Sequence, residues 1–243
     1  MRKDLVSSIP ELSYARMSTP DNTTSHNSDN YDRHIRNIIP HYDDIHAEIL
    51  NFVKVQCPRP RTWLDTGCGT GSFVRKAQVL FPDTEFFIAD PSEGMLTKAR
   101  ETLDGCRYSL VGRCGTADLP GITDRRFDVI TAIQCHHYLS REERNTAVRA
   151  CFSLMDDDGF FITSENIRPF SHEGISRSLS YWGAFQLQAG RLRDEVRDHL
   201  NRFDREYFPV TVTDHLQCYH EAGFSIAEIL WLSYLQGVFW CRK

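Results

Sequence analysis

The 243-residue sequence has no CxxC pair among its eight cysteines, at positions 57, 68, 106, 114, 135, 151, 218 and 241, and no two pairs at zinc-ligand spacing. That absence argues against a disulfide scaffold or a structural zinc and implies reduced thiols. Long apolar runs are missing too: nothing reaches the roughly 20 residues that span a bilayer. The opening MRKDLVSSIP lacks the apolar stretch of a secretory signal. A cytoplasmic chain with no membrane partner is therefore expected. Basic residues are not in surplus, since 28 Lys and Arg face 33 Asp and Glu for a net charge of -5. Such a chain has no broad footprint for neutralising phosphates, which excludes a direct nucleic-acid grip of the usual kind. No internal repeat is present.

What is there fits a globular protein: 41% hydrophobic and 25% charged residues, in a length that suits one α/β domain with an elaboration. Residues 1–29 are rich in Ser, Thr, Asn, Asp and Pro and predict a flexible tail, leaving 30–243 as the domain. The triplet Asn22-Thr23-Thr24 matches a glycosylation acceptor that a cytoplasmic chain never uses. From Tyr31 onward Ile35, Ile38, Ile39, Tyr42, Ile45, Ile49, Phe52 and Val53 mark one apolar helix face, which Pro40 should break in two. Short apolar runs then alternate with amphipathic stretches, the pattern of βαβ units and a largely parallel sheet. Strands are predicted at 62–64, 86–89, 108–111, 127–133 and 159–163, with a helix opened by Ser140 and Glu143 as a capping box. The alternation lapses over about 167–208, a helical insertion, and resumes with a helix at 213–222 and strands at 226–232 and 237–241.

The chemistry-bearing signal is Asp65-Thr66-Gly67-Cys68-Gly69-Thr70-Gly71, between the first strand and the first helix after it. A doubly wound sheet binds its ligand at such a place, and glycines let a ligand approach the backbone. Asp90 ends the second strand, where a carboxylate can accept hydrogen bonds from ribose hydroxyls. Dinucleotide binders need GxGxxG, which would put glycine at position 72, but Ser72 stands there. The spacing is GxGxG after an acid, and Asp65 is unfavourable beside a pyrophosphate but suits a ligand bearing an ammonium and a sulfonium.

At these residues the chain resembles the class I S-adenosylmethionine-dependent methyltransferases. The resemblance implies an α/β, doubly wound, Rossmann-like sheet of seven strands in the order 3-2-1-4-5-7-6, with the last strand antiparallel. It implies S-adenosyl-L-methionine as cofactor, S-adenosyl-L-homocysteine as product, and cofactor contacts at Asp65, Gly67, Cys68, Gly69, Gly71, Asp90, Pro91, Met95 and Gln134. The family's adenine segment resembles 114–120, with Thr116, Ala117 and Asp118 as its candidates and Thr116 where an acid is usual. Residues 31–42 resemble the lid helix of a subgroup that includes the carboxy-S-adenosylmethionine synthases. In such lids a Tyr and an Arg approach the cofactor, here Tyr31 and Arg36.

An acceptor would sit above the carboxyl ends of strands four and five. Candidate catalytic residues there are His136, His137 and Glu165, since a neutral imidazole or a carboxylate can take a proton. Adjacent residues diverge, so the two histidines should not face one substrate, and Glu165 reads equally as a solvated loop carboxylate. Candidate acceptor contacts are Tyr42, Asn166, Arg168 and Trp182, with Tyr181, Phe185 and Trp240 as aromatic roof or core. His215, Cys218 and His220 diverge too far along a helix to hold zinc, and no metal is expected. The expected activity is methyl transfer to a small molecule by a monomer or homodimer. A carboxy-S-adenosylmethionine synthase, which resembles this chain in its lid but reads DLGCSLG where this one reads DTGCGTG, is the second reading. A cofactor-binding module without catalysis is the third.

Overall fold

A computed structural model describes residues 31–233 and 235–243. The expected tail and its Asn22 triplet lie outside the described residues. Pro40 divides the first helical stretch as expected. Helix α1 (Tyr31–Ile38) stops before it, His41 takes a left-handed φ of 61°, and α2 (Tyr42–Gln56) begins at once. The apolar stripe of α2 is buried at Tyr42, Ile45, Ile49 and Val53, because a period near 3.6 keeps these positions on one face.

Strands and helices then alternate: β1 (Thr62–Thr66), α3 (Ser72–Leu80), β2 (Glu85–Ala89), α4 (Glu93–Thr102) and β3 (Tyr108–Gly112). After a 3₁₀ turn (Thr116–Gly121) come β4 (Phe127–Ile133), a second 3₁₀ turn (His136–Tyr138), α5 (Arg141–Leu154) and β5 (Met155–Asn166). The insertion supplies α6 (His172–Gln188) and α7 (Arg193–Leu200), and α8 (Val212–Ala222), β6 (Ile226–Ser233) and β7 (Gln236–Arg242) end the chain. The sheet order is β3-β2-β1-β4-β5-β7-β6. β1 to β5 pair in parallel, and β7 runs antiparallel between β5 and β6.

Strand residues alternate between two buried layers. Trp63, Phe86, Phe160 and Val238 pack with α2, α3 and α4, while Leu64, Phe87, Phe161 and Phe239 pack with α5 and α8. A strand covered on both faces buries side chains of both sets, which is why β2 and β4 are mostly apolar, with Thr131 of β4 buried through its hydrogen bond to Asp65. The insertion closes over a small third cluster of Trp182, Tyr207 and Leu235. The capping box of α5 forms as predicted, Glu143 N–H to Ser140 Oγ at 3.3 Å and Ser140 N–H to Glu143 Oε2 at 2.9 Å.

Two expectations are corrected. β5 does not end at Thr163. It continues through Ser164, Glu165 and Asn166, paired with Val238, Gly237 and Gln236 of β7, and polar residues extend a strand here because a partner strand takes their backbone bonds. Trp240 lines no acceptor roof: it packs on Phe52 of α2 at 5.3 Å and on Phe160 at 6.1 Å. It lies opposite Ile162, four residues short of the end of β5.

Candidate active site

The loop after β1 is anchored on β2. The N–H groups of Gly67 and Cys68 donate to the Ala89 carbonyl at 2.8 and 3.1 Å. Gly67 and Gly69 have φ of 66° and 55°, backbone that side chains with a Cβ adopt at a cost. Their surroundings differ. A Cβ on Gly67 would lie 2.7 Å from that of Cys135, whereas one on Gly69 would meet nothing within 4 Å. Gly69 thus borders open space, and Gly71 packs on Leu103 at the start of α3.

Asp90 is held by the same loop. Its Oδ2 accepts the Gly69 N–H at 2.9 Å and its Oδ1 the Ser92 N–H at 2.9 Å. The two bonds orient the carboxylate at the cavity wall. Above the ends of β1, β2 and β4 lies a cleft of about 780 Å³, counting its mouth open to solvent. Of the residues singled out in the sequence, Tyr31, Gly67, Gly69, Asp90, Pro91, Met95, Thr116, Gln134 and His136 line it. A second, smaller recess adjoins it under α2, about 320 Å³ counting its open mouth, walled by Tyr42, Asp65, Cys68 and Thr70 among others.

Asp65 is buried, and its Oδ1 accepts the Thr131 hydroxyl at 2.6 Å. Burial raises its pKa to about 7 with Asp90 adding to the effect, against the lowering pull of the Thr131 bond. The His136 ring lies in the cavity wall, with Nε2 at 3.0 Å from Thr116 Oγ1, itself 2.7 Å from Thr66 Oγ1. Burial lowers the His136 pKa to about 4, helped by Arg144 and His137 and opposed by Glu165. The neutral imidazole therefore prevails at neutral pH.

His137 turns the other way. A 3₁₀ turn, rather than a straight strand exit, sends it behind the cavity wall to Glu165, Nδ1 to Oε2 at 3.2 Å. Glu165 is 1% exposed, where solvated loop geometry was one expectation. Its Oε1 accepts the Thr163 hydroxyl at 2.6 Å. Burial alone would raise its pKa, but the His137 bond and the imidazoles of His137, His136 and His215 bring it down to about 2.

Other candidates lie off both cavities. Arg36 grips Asp43 through Nε at 2.7 Å and Nη2 at 3.0 Å. Asp118 folds back to accept the Gly115 N–H at 3.2 Å, so Gly115 and Thr116, not Ala117 or Asp118, face the cavity. Arg168 pairs with Asp204 at 2.5 Å. Trp182 is buried under the lid while its neighbour Tyr181 is 61% exposed. The ring of Phe185 packs with the Trp182 cluster. His215, Cys218 and His220 bond three separate groups, Tyr219 Oη, Asn145 Oδ1 and the Phe224 carbonyl. No cluster able to hold a metal ion occurs among the described residues.

Two participants escaped the sequence reading. Gln134, at a positive φ of 54°, gives both amide hydrogens away, to Ser164 Oγ at 2.8 Å and Gln236 Oε1 at 3.0 Å, and Gln236 in turn donates to Asn166 Oδ1 at 2.9 Å. Gln236 thus fixes Gln134, a role that only strand pairing reveals. The other is His46, whose signal was available: a polar residue on the apolar face of α2.

Residues 64–161 match a family model described as a methyltransferase domain. A carboxy-S-adenosyl-L-methionine synthase of Trichodesmium erythraeum is 21% identical over 203 residues, 82% of this chain and 79% of that protein. Among solved structures, a putative O-methyltransferase of Nostoc punctiforme superposes with a TM-score of 0.61 at 17% identity over 82% of this chain. This chain spans 56% of that one's length. Magnesium protoporphyrin IX methyltransferase of Synechocystis, solved with bound S-adenosylhomocysteine, superposes with a TM-score of 0.61 at 14% identity, covering 89% of this chain and 95% of that one. Residues 64–161 thus match a methyltransferase domain, and the seven-stranded sheet around them shares its fold with these methyltransferase structures.

Proposed function

We propose that the chain transfers a methyl group from S-adenosylmethionine to a small-molecule acceptor. The observation that carries this reading is the pair of adjoining cavities over one glycine loop, with Asp90 at the first and Asp65 at the second. Asp90 suits the ribose, Met95 and Pro91 the adenine faces, and Asp65 a ligand ammonium. Gly69 leaves room that a Cβ would take. The bound cofactor supplies a methyl group on a sulfonium, already activated for in-line displacement with departure of a neutral thioether.

The protein's own task is then alignment and exclusion of water. Helix α1 closes the site. Asp32 Oδ1 accepts the Thr70 hydroxyl at 2.8 Å, and Tyr31 lines both cavities. His136 is the imidazole in the cavity wall, and with a pKa near 4 it is a weak base. His137 and Glu165 support that wall from behind. This favours an acceptor whose nucleophile needs little deprotonation. The net charge of -5 favours a small molecule over a nucleic acid. We place the enzyme in the cytoplasm as a monomer or homodimer, in keeping with its eight free cysteines and with the lack, among the described residues, of a helix long and apolar enough to cross a membrane.

The kinship at 21% identity keeps a carboxy-S-adenosylmethionine synthase as the second reading. Mass spectrometry of the copurifying ligand separates the two, S-adenosylmethionine or S-adenosylhomocysteine against the carboxylated form. Asp90→Ala is expected to weaken S-adenosylhomocysteine binding more than tenfold by calorimetry, as loss of hydrogen bonds to a charged group would. Unchanged affinity would remove Asp90 from the site. Acceptors are then found by screening small molecules for release of S-adenosylhomocysteine.

A further inference from the structure

The fold does not account for His46. It lies on the buried stripe of α2, 1% exposed, between the rings of Tyr42 at 4.5 Å and Phe73 at 5.2 Å. Its Nδ1 is 3.2 Å from Lys76 Nζ. An ammonium has only hydrogens to give, so Nδ1 accepts, and the proton of a neutral imidazole then resides on Nε2. The ring is neutral, since burial lowers its pKa to about 3, with Lys76 adding to the effect and Asp43 opposing it. Lys76 is itself held by Asp43 at 2.7 Å, the carboxylate that Arg36 grips. A chain of charges from the surface of the lid thus sets the tautomer of a buried ring.

The consequence is an N–H group at Nε2 that is buried and has no partner. A donor left unmade in the interior costs stability, so a ligand group that reached this N–H would gain a bond the protein itself does not supply. His46 lines the second recess, which Asp65 also lines and which shares Tyr31, Gly67 and Gly69 with the wall of the main cavity. One fixed donor and one carboxylate in the same small space suit a zwitterion. We propose that His46 Nε2–H binds the α-carboxylate of the ligand's amino-acid end, with its tautomer set by Lys76, while Asp65 takes the ammonium. The proposal rests on the methyltransferase reading and extends it to a residue of α2.

The test is calorimetry on the full chain with two probes: S-adenosylhomocysteine, and S-adenosyl-3-thiopropylamine, which keeps the thioether and amine and lacks the carboxylate. His46→Leu should lose at least tenfold in affinity for the first and leave the second unchanged. His46→Gln, whose Nε2 places an N–H in nearly the same position, should recover most of the loss. Lys76→Met, at a side chain 37% exposed, should weaken only the first probe, and it serves if His46→Leu does not fold. Equal weakening of both probes, or none, would make His46 a packing residue against Phe73 and overturn the proposal. Failure of the wild type to bind S-adenosylhomocysteine would remove the methyltransferase reading itself. A wild type that binds it, with variants that discriminate no less, removes this inference alone.

Discussion

The indole N–H of Trp182 donates to the main-chain carbonyl of Ile38 at 2.6 Å, across 144 residues of sequence. This one bond ties the insertion to the end of helix α1, just before Pro40. Trp182 is 2% exposed and its ring meets those of His199 at 4.8 Å and Tyr207 at 6.2 Å, so it is positioned by the insertion rather than by the lid.

Trp182→Phe keeps most of the ring packing and removes the bond. The expected cost is about 1–2 kcal/mol, since it leaves a buried carbonyl without its donor. If the bond latches the lid, bound S-adenosylhomocysteine should also dissociate faster in stopped-flow measurements. A variant with lowered melting temperature and an unchanged dissociation rate would confine Trp182 to a structural role.

Asp65 predicts a pH dependence of binding. Its pKa in the free protein is raised to about 7 by burial. A cationic ligand group favours the ionised form, so affinity should rise with pH through about 7, and binding near pH 6 should release a proton. Calorimetry in buffers of different ionisation enthalpy reads that proton directly, and Asp65→Asn should abolish it. The sign for folding is opposite to the usual carboxylate. A raised pKa means the ionised form is disfavoured in the fold, so stability falls as pH rises from the unfolded value near 3.9 towards 7.

Glu165 follows the usual direction. Its pKa is lowered to about 2, so it contributes stability above the unfolded value near 4.3, lost as pH falls towards 2. Glu165→Leu removes the carboxylate that His137 and Thr163 share, leaving Thr163 the Ala132 carbonyl and His137 the Asn166 N–H, at an expected cost of about 1–3 kcal/mol. Urea unfolding at pH 7 and pH 3 measures both effects. An equal difference between variant and wild type at the two values would show that the carboxylate charge does not carry the stability.

Periodicity located the strands and helices, because a sheet covered on both faces draws mostly apolar residues into its strands, and the split at Pro40 follows from its missing N–H. The missed end of β5 shows where that reasoning stops. Ser164, Glu165 and Asn166 are polar, so nothing local marks them as strand, yet β7 supplies their partners. Asp118 and Arg36 were chosen by position in a segment, but each has a nearer partner, the Gly115 N–H and Asp43 respectively, that turns it from the cavity.

The glycine loop was legible from the chain alone, since positive φ, an acid before the glycines and an acid ending the next strand are local requirements written in residue types. Where side chains point is not local. His136 and His137 are neighbours in sequence, yet one faces the cavity and the other a buried glutamate, because a 3₁₀ turn and the packing of β5 separate them. His46 and Gln236 likewise acquire their roles only when α2 meets α3 and β7 meets β5. Those contacts join residues 30 and 70 positions apart, to Lys76 and Asn166, and no periodicity within either segment can register them.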